Sequence, residues 1–155
     1  MDNNNLQSVY AKEAIKWVQA KVRYRHRGTT MQGCDCTGLL IGIARAIGYL
    51  GKYVLRMYPR DWNLHSGAGN YVVEELNRVG NEISNNETGN GDILIFRFGK
   101  CLAHVGIVVN WEKRLFVHSF FSAGYCKYGV LKNSMWSKRW VKTYRLNREK
   151  MAKYS

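Results

Sequence analysis

Residues 92–120 read DILIFRFGKCLAHVGIVVNWEKRLFVHSF. In this run the hydrophobic residues stop following a helical period and fall into short strand-like segments: DILIFRF (92–98), HVGIVV (104–109) and RLFVHSF (114–120). The polar residues 110–113 connect the second segment to the third, which predicts an antiparallel hairpin. Downstream, KYGVLK (127–132) and RWVKTYRL (139–146) continue in the same manner. The second half of the chain is therefore expected to form an antiparallel sheet of about five strands.

Upstream of residue 92 the period is helical. Over 6–22, Leu6, Val9, Ala14, Trp17, Val18 and Val22 recur at helical spacing with charged residues between them, which predicts an amphipathic helix. The segment YRHRGTTMQGCDCTG (24–38) loses that period and reads as a loop. LLIGIARAIGYL (39–50) restores it in a largely buried helix that ends near Gly48 and Gly51. A third helix is expected over 70–79 from Tyr71, Val72, Leu76 and Val79, followed by NEISNNETGNGD (81–92) as loop. Helices first and an antiparallel sheet second is the α+β pattern.

The chain has 155 residues, 46% of them hydrophobic, and a single Pro. That composition excludes disordered, collagen-like and coiled-coil classes. The length suits one domain over 1–155 with a core of its own. Lys and Arg number 24 against 11 Asp and Glu, a net charge of +13, which points to a polyanionic partner. Six acids and one base lie between positions 61 and 92, so the excess sits on the flanks, including Lys21, Arg23, Arg25 and Arg27. From residue 132 onward eight Lys and Arg face one Glu. No apolar period remains after Leu146, so residues 147–155 are expected to be a loosely ordered basic tail.

Four Cys, at positions 34, 36, 101 and 126, are too few for a disulfide scaffold in a chain that can build its own core, and they leave the redox compartment open. The first residues lack a basic region followed by an apolar stretch, and the longest apolar runs are too short or interrupted to cross a bilayer. Neither a signal peptide nor membrane insertion is expected. A chain made in the cytoplasm would then reach the outside through lysis, a phage particle or dedicated export.

Cys36 lies in GCDCTGLL (33–40), between a Gly-punctuated loop and an apolar helix. At a helix N-terminus the unpaired N–H groups and the dipole favour thiolate over thiol. Its own N–H is placed to face an oxyanion, and Gly33 and Gly38 are expected to admit a substrate backbone near the sulfur. A thiolate nucleophile needs a base whose tautomer is fixed by a third group. His104 opens one hairpin strand and His118 lies in the other, and a turn near residue 111 or 112 brings them within about one residue of opposite each other. Read singly, Cys36 is a small buried residue and each His a satisfied core residue; read together they form a Cys–His–His set.

Three other readings fit parts of the same sequence. Cys34, Cys36, Cys101 and His104 form two short pairs that zinc would accept. Trp136, Trp140 and Tyr144 among basic residues suit base stacking and phosphate contact, although no nucleic-acid motif accompanies them. An assembly or structural protein could keep the fold without the chemistry.

GCDCTGL (33–39), YRHRG (24–28), GDILIF (91–96), AHVGIVV (103–109) and FVHSF (116–120) occur in an order that resembles the NlpC-type branch of papain-like cell-wall peptidases, most closely its phage-tail-associated members. The resemblance spans residues 6–120. It implies a papain-like cysteine peptidase fold with Cys36 as nucleophile, His104 as base and later acid, and His118 as the orienting residue. It implies hydrolysis of amide bonds in peptidoglycan stem peptides through an acyl-enzyme, without cofactor or metal. Stems and phage tail proteins are the implied partners, and no specific nucleic acid. Tyr24 matches a tyrosine that helps hold the substrate carbonyl, and Asp35 the residue before the nucleophile, where it also suits a helix cap. The family often has Ser after the nucleophile and Trp-Gly-Gly after the tyrosine; here Thr37 and RHRG stand instead. His26 in that segment is a candidate for a stem carboxylate or an exposed side chain. With the chain nearly filled by this fold, the basic surface is expected to steer the enzyme to an anionic wall.

Overall fold

The computed structural model describes residues 3–55 and 71–155. Helix α1 (Asn3–Gln19) buries Leu6, Tyr10, Ala11, Ala14 and Trp17 along one face. Val9, grouped with them by spacing, is 37% exposed. The helix ends earlier than the expected 22, and Lys21 then takes a left-handed φ of 52°. The expected loop over 24–38 contains a small antiparallel hairpin of β1 (Thr29–Thr30) and β2 (Gly33–Cys34). Helix α2 (Cys36–Ala46) begins at Cys36, as its place before the apolar run leads one to expect, three residues ahead of the apolar period itself, and everything from Thr37 to Ala44 is buried. Helix α3 (Tyr71–Val79) buries Val72, Glu75, Leu76 and Val79; residue 70, the expected start, lies outside the described residues.

The remaining strands are β3 (Gly80–Ile83), β4 (Ile93–Phe98), β5 (Cys101–Asn110), β6 (Leu115–Ser119), β7 (Cys126–Val130) and β8 (Trp140–Leu146). They form one antiparallel sheet in the order β3-β8-β4-β5-β6-β7. The α+β arrangement is the expected one, with six strands where about five were expected. The additional strand is β3, in a stretch read as loop. It is an edge strand whose Asn81 and Glu82 face solvent, so it carries no apolar alternation to detect.

Both faces of the sheet are covered, which explains the nearly unbroken apolar run of β4. Ile93, Ile95, Val105, Ile107 and Val117 pack against α1, α2 and α3. Their neighbours Leu94, Phe96, Val108 and Phe116 point the other way, into a smaller aromatic cluster. That second face is covered by α4 (Met135–Arg139), whose Ser134 cap accepts a hydrogen bond from the Trp136 N–H at 3.1 Å. Residue 139, read as the first of the last strand, thus ends this helix, and the strand begins at Trp140. Asp92, fully buried before β4, takes a two-pronged contact from Arg145 of β8 at 2.9 and 2.7 Å, which is why an acid stands in the otherwise apolar GDILIF run.

The expected loose tail is corrected by helix α5 (Arg148–Ala152). Met151 is fully buried, the Asn147 side chain caps the Lys150 N–H at 3.0 Å, and the Tyr154 ring meets Tyr53 edge-on at 5.0 Å. A single buried Met in a five-residue helix creates no period, so the sequence gives no helical signal there.

Candidate active site

Cys36 is the first residue of α2, and Asp35 before it is the N-cap. The Asp35 carboxylate accepts from the Gly38 N–H at 2.8 Å and from the Arg27 N–H at 2.8 Å. One buried side chain therefore caps the helix and ties the preceding loop to it. Gly38 does not admit substrate as expected. A Cβ there would collide with the Gly28 carbonyl, so its lack of a side chain serves packing between the loop and the helix.

The Cys36 sulfur lies in a split of the sheet. Pairing of β5 with β6 runs only from Ile107 to Asn110. Val108 exchanges backbone hydrogen bonds with Gly91 and Asp92 on its other side. By strand alternation, the peptide groups of Ala103 and Val105 then face β6 beyond the end of that pairing. The Cys36 thiol fills this gap, 3.9 Å from the Ala103 carbonyl and facing the Val105 N–H. The nucleophile candidate is thereby fixed against the two residues that flank His104.

His104 projects to the opposite, aromatic face and is 4% exposed. Its Nε2 lies 2.8 Å from Nδ1 of His118. Continued, the β5–β6 register sets His118 opposite Gly106, two residues from His104 instead of the expected one; the two rings bridge that diagonal. Trp136 lies over His104 at 5.3 Å and meets His118 edge-on at 4.9 Å, while Phe120 stacks on His118 at 5.9 Å. His118 Nε2 is buried with no hydrogen-bond partner among the described residues. Aromatic faces accept an N–H and repel a lone pair, so this cage favours the proton on Nε2 of His118. Its Nδ1 then accepts from Nε2–H of His104, leaving Nδ1 of His104 as the basic nitrogen.

Electrostatics keep these groups neutral at rest. Burial, and then the Asp35 carboxylate, push the Cys36 thiol up to about 12, against the N–H groups of Val105, Thr37 and Cys36 that pull it down. The expected gain from the helix N-terminus is present and outweighed. Burial, and then the neighbouring His118, hold His104 well below 6.5; burial, and then Lys127, bring His118 down to about 4.

The sequence profile of the NlpC/P60 family matches residues 21–145. The chain belongs to the NlpC/P60 family. It is 30% identical over 123 residues to the Escherichia coli protein named murein DD-endopeptidase MepS/murein LD-carboxypeptidase, covering 79% of this chain and 53% of the relative. The chain thus spans about half the length of that curated relative. Among solved structures, an NLP/P60 family protein similar to lipoprotein from Staphylococcus aureus superposes with a TM-score of 0.61 at 22% identity, over 94% of this chain and 42% of the other. The NlpC/p60 domain of the peptidoglycan hydrolase SagA gives 0.57 at 17% identity, over 88% and 96%. These structural likenesses carry the fold.

In this NlpC/P60 fold the other candidates have defined places. Tyr24 bridges to Cys34 of β2 and sets its ring edge-on to Phe121 at 5.8 Å, beside the nucleophile loop. His26 is not the exposed side chain of one reading; its Nδ1 lies 4.0 Å from Asp35 Oδ2, with 16% of the side chain exposed. The zinc set is taken apart: the Cys34 sulfur meets Cys126 at 3.6 Å while that of Cys36 meets Ala103. Among the described residues no three His, Cys, Asp or Glu side chains are arranged around a common metal position. The stacking set is also dispersed. Tyr144 is buried and donates to Asn77 at 2.8 Å, Trp140 meets Trp111 at 5.7 Å, and Trp136 covers the histidines. Trp136 is the site residue the sequence does not reveal, because it becomes a neighbour of His118 only through α4; Phe120 follows His118 by two residues in the segment read as strand over 114–120 and shares its face.

Proposed function

We propose that this chain hydrolyses amide bonds in peptidoglycan stem peptides through a thioester on Cys36. The observation that carries the reading is the 2.8 Å His104–His118 contact on the strand whose Ala103 and Val105, the residues flanking His104, meet the Cys36 thiol. The murein activity in the name of the E. coli relative supports the substrate class.

As the Cys36 sulfur attacks the carbonyl carbon, its proton passes to Nδ1 of His104. Because the resting thiol and imidazole are both neutral, this transfer accompanies attack instead of preceding it. The oxyanion meets N–H groups at the start of α2. His104 then gives the proton to the departing amine nitrogen, leaving an acyl group on sulfur. In the second half His104 takes a proton from water, which attacks the thioester, and the sulfur leaves and is reprotonated. His118 accepts from Nε2 of His104 throughout and steadies the transient imidazolium.

Wall material outside the cytoplasm would be the target, with the positive charge drawing the enzyme to it. A phage-tail setting rests on the two cysteines around Asp35 alone. The test is acid quenching of the enzyme during turnover of stem peptide, with mass mapping of any adduct. An acyl group on Cys36, removed by hydroxylamine and absent from Cys36→Ala, is expected. Turnover by Cys36→Ala at the wild-type rate would contradict the reading.

A further inference from the structure

Cys34 and Cys126 take no part in the chemistry above, yet both are buried and their sulfurs lie 3.6 Å apart across 92 positions of sequence. Their backbones are fixed on the same short segment: the Cys34 N–H donates to Arg23 O at 3.0 Å and the Cys126 N–H to Val22 O at 2.8 Å. The Ser119 hydroxyl adds a bond to Cys34 O at 2.7 Å. Neither of the other cysteines competes for the pairing in this arrangement. Cys36 turns its sulfur to the β5 backbone, and Cys101 is buried at the start of β5, paired with Phe98.

We infer that Cys34 and Cys126 are a disulfide site, closed by a small disulfide oxidant of the glutathione type. The S–S bond needs the sulfurs at about 2.05 Å, a further approach of roughly 1.5 Å that side-chain rotation supplies if the backbones hold. Either sulfur can donate in the shared hydrogen bond, so the two attacks are interchangeable in order; in one order Cys126 goes first. Its thiolate attacks one sulfur of the oxidant and releases one glutathione thiol. Cys34 then loses its proton and attacks the Cys126 sulfur, expelling the second glutathione. Two protein thiols are oxidised and one glutathione disulfide is reduced to two thiols.

The bond would close a long loop, which stabilises chiefly by restricting the unfolded chain. It would also fasten β2, two residues from Cys36, to the start of the edge strand β7, and remove the thiol nearest the nucleophile in sequence. The inference does not depend on the hydrolysis proposed above, since Cys36 stays a free thiol.

The full chain is held in glutathione redox buffer in two arms, native and refolded from denaturant, then blocked with a maleimide, digested and mass-mapped. A linked Cys34–Cys126 peptide lighter by two hydrogens is expected in the refolded arm at least, with Cys36 and Cys101 blocked. The oxidised protein should melt several degrees above the reduced one, and Cys126→Ser should show neither the link nor the gain. Blocking of all four thiols in both arms, a Cys34–Cys36 link, or a lower melting point on oxidation would overturn the assignment.

Discussion

Cys36 and His118 each answer to one dominant physical cause. The Cys36 thiol is held up to about 12 by burial and by Asp35, so its alkylation by iodoacetamide is expected to be slow at neutral pH and to climb steeply as pH rises. Asp35→Asn keeps an acceptor for the Gly38 N–H but removes the negative charge, so the thiol pKa is expected to fall and alkylation at a fixed pH to speed up. An unchanged profile would remove Asp35 from the electrostatics of the site. His118 is depressed from 6.5 to about 4. The native state therefore refuses a proton that the unfolded chain accepts, and stability is full above pH 6.5 and lost as pH falls from there towards 4. The loss is about 3 kcal/mol for this side chain. Urea midpoints across that window are expected to fall with acid in the wild type and to fall less in His118→Asn.

The hairpin β5–β6 and the short helix α4 together make the environment of the histidine pair. A Cβ on Gly106 or Gly129 would collide with the Phe116 ring, so these two glycines, on the strands either side of β6, make room for Phe116, whose ring packs at a tilt against His118 with centroids 4.9 Å apart. α4 closes the other side with Trp136. Trp136→Ala is expected to admit water to the pair and move the His118 titration back from about 4 towards 6.5, read by NMR of the ring protons; a titration that stays in place would show that α4 does not dry the site. At this scale the sequence was informative where period or spacing carries the element. The strands β4, β5, β6 and β8, the helix starting at Cys36 and the joining of His104 to His118 are all visible in it. β3, α4 and α5 were not, because a polar edge strand and five-residue helices bury too few side chains to leave a pattern. The exact partners of His104 were also hidden, since Phe98, Phe120 and Trp136 reach it from three separate parts of the chain.

Over the whole molecule, the ends of the chain complete the core that holds the site. α1 fixes α2 through the Tyr10 hydroxyl, which donates to Leu40 O at 2.9 Å. α5 returns to the far side of the helical layer, with Met151 in the core and the Lys52 N–H donating to Tyr154 O at 2.7 Å. Truncation after Leu146 is therefore expected to cost roughly 3 kcal/mol or more in urea unfolding, although it removes a segment whose composition reads as a solvated tail. An unchanged midpoint would return that segment to the role of a frayed end. The Cys, His and His come from opposite halves of the sequence, and folding the helical half onto the sheet is what unites them. The most direct test of that union is digestion of purified peptidoglycan by the wild type and by Cys36→Ala, with mass analysis of the released stems and circular dichroism to verify that both are folded. Release by the wild type alone is the result expected; equal release by both, or none by either from Gram-negative and Gram-positive walls, would contradict the account.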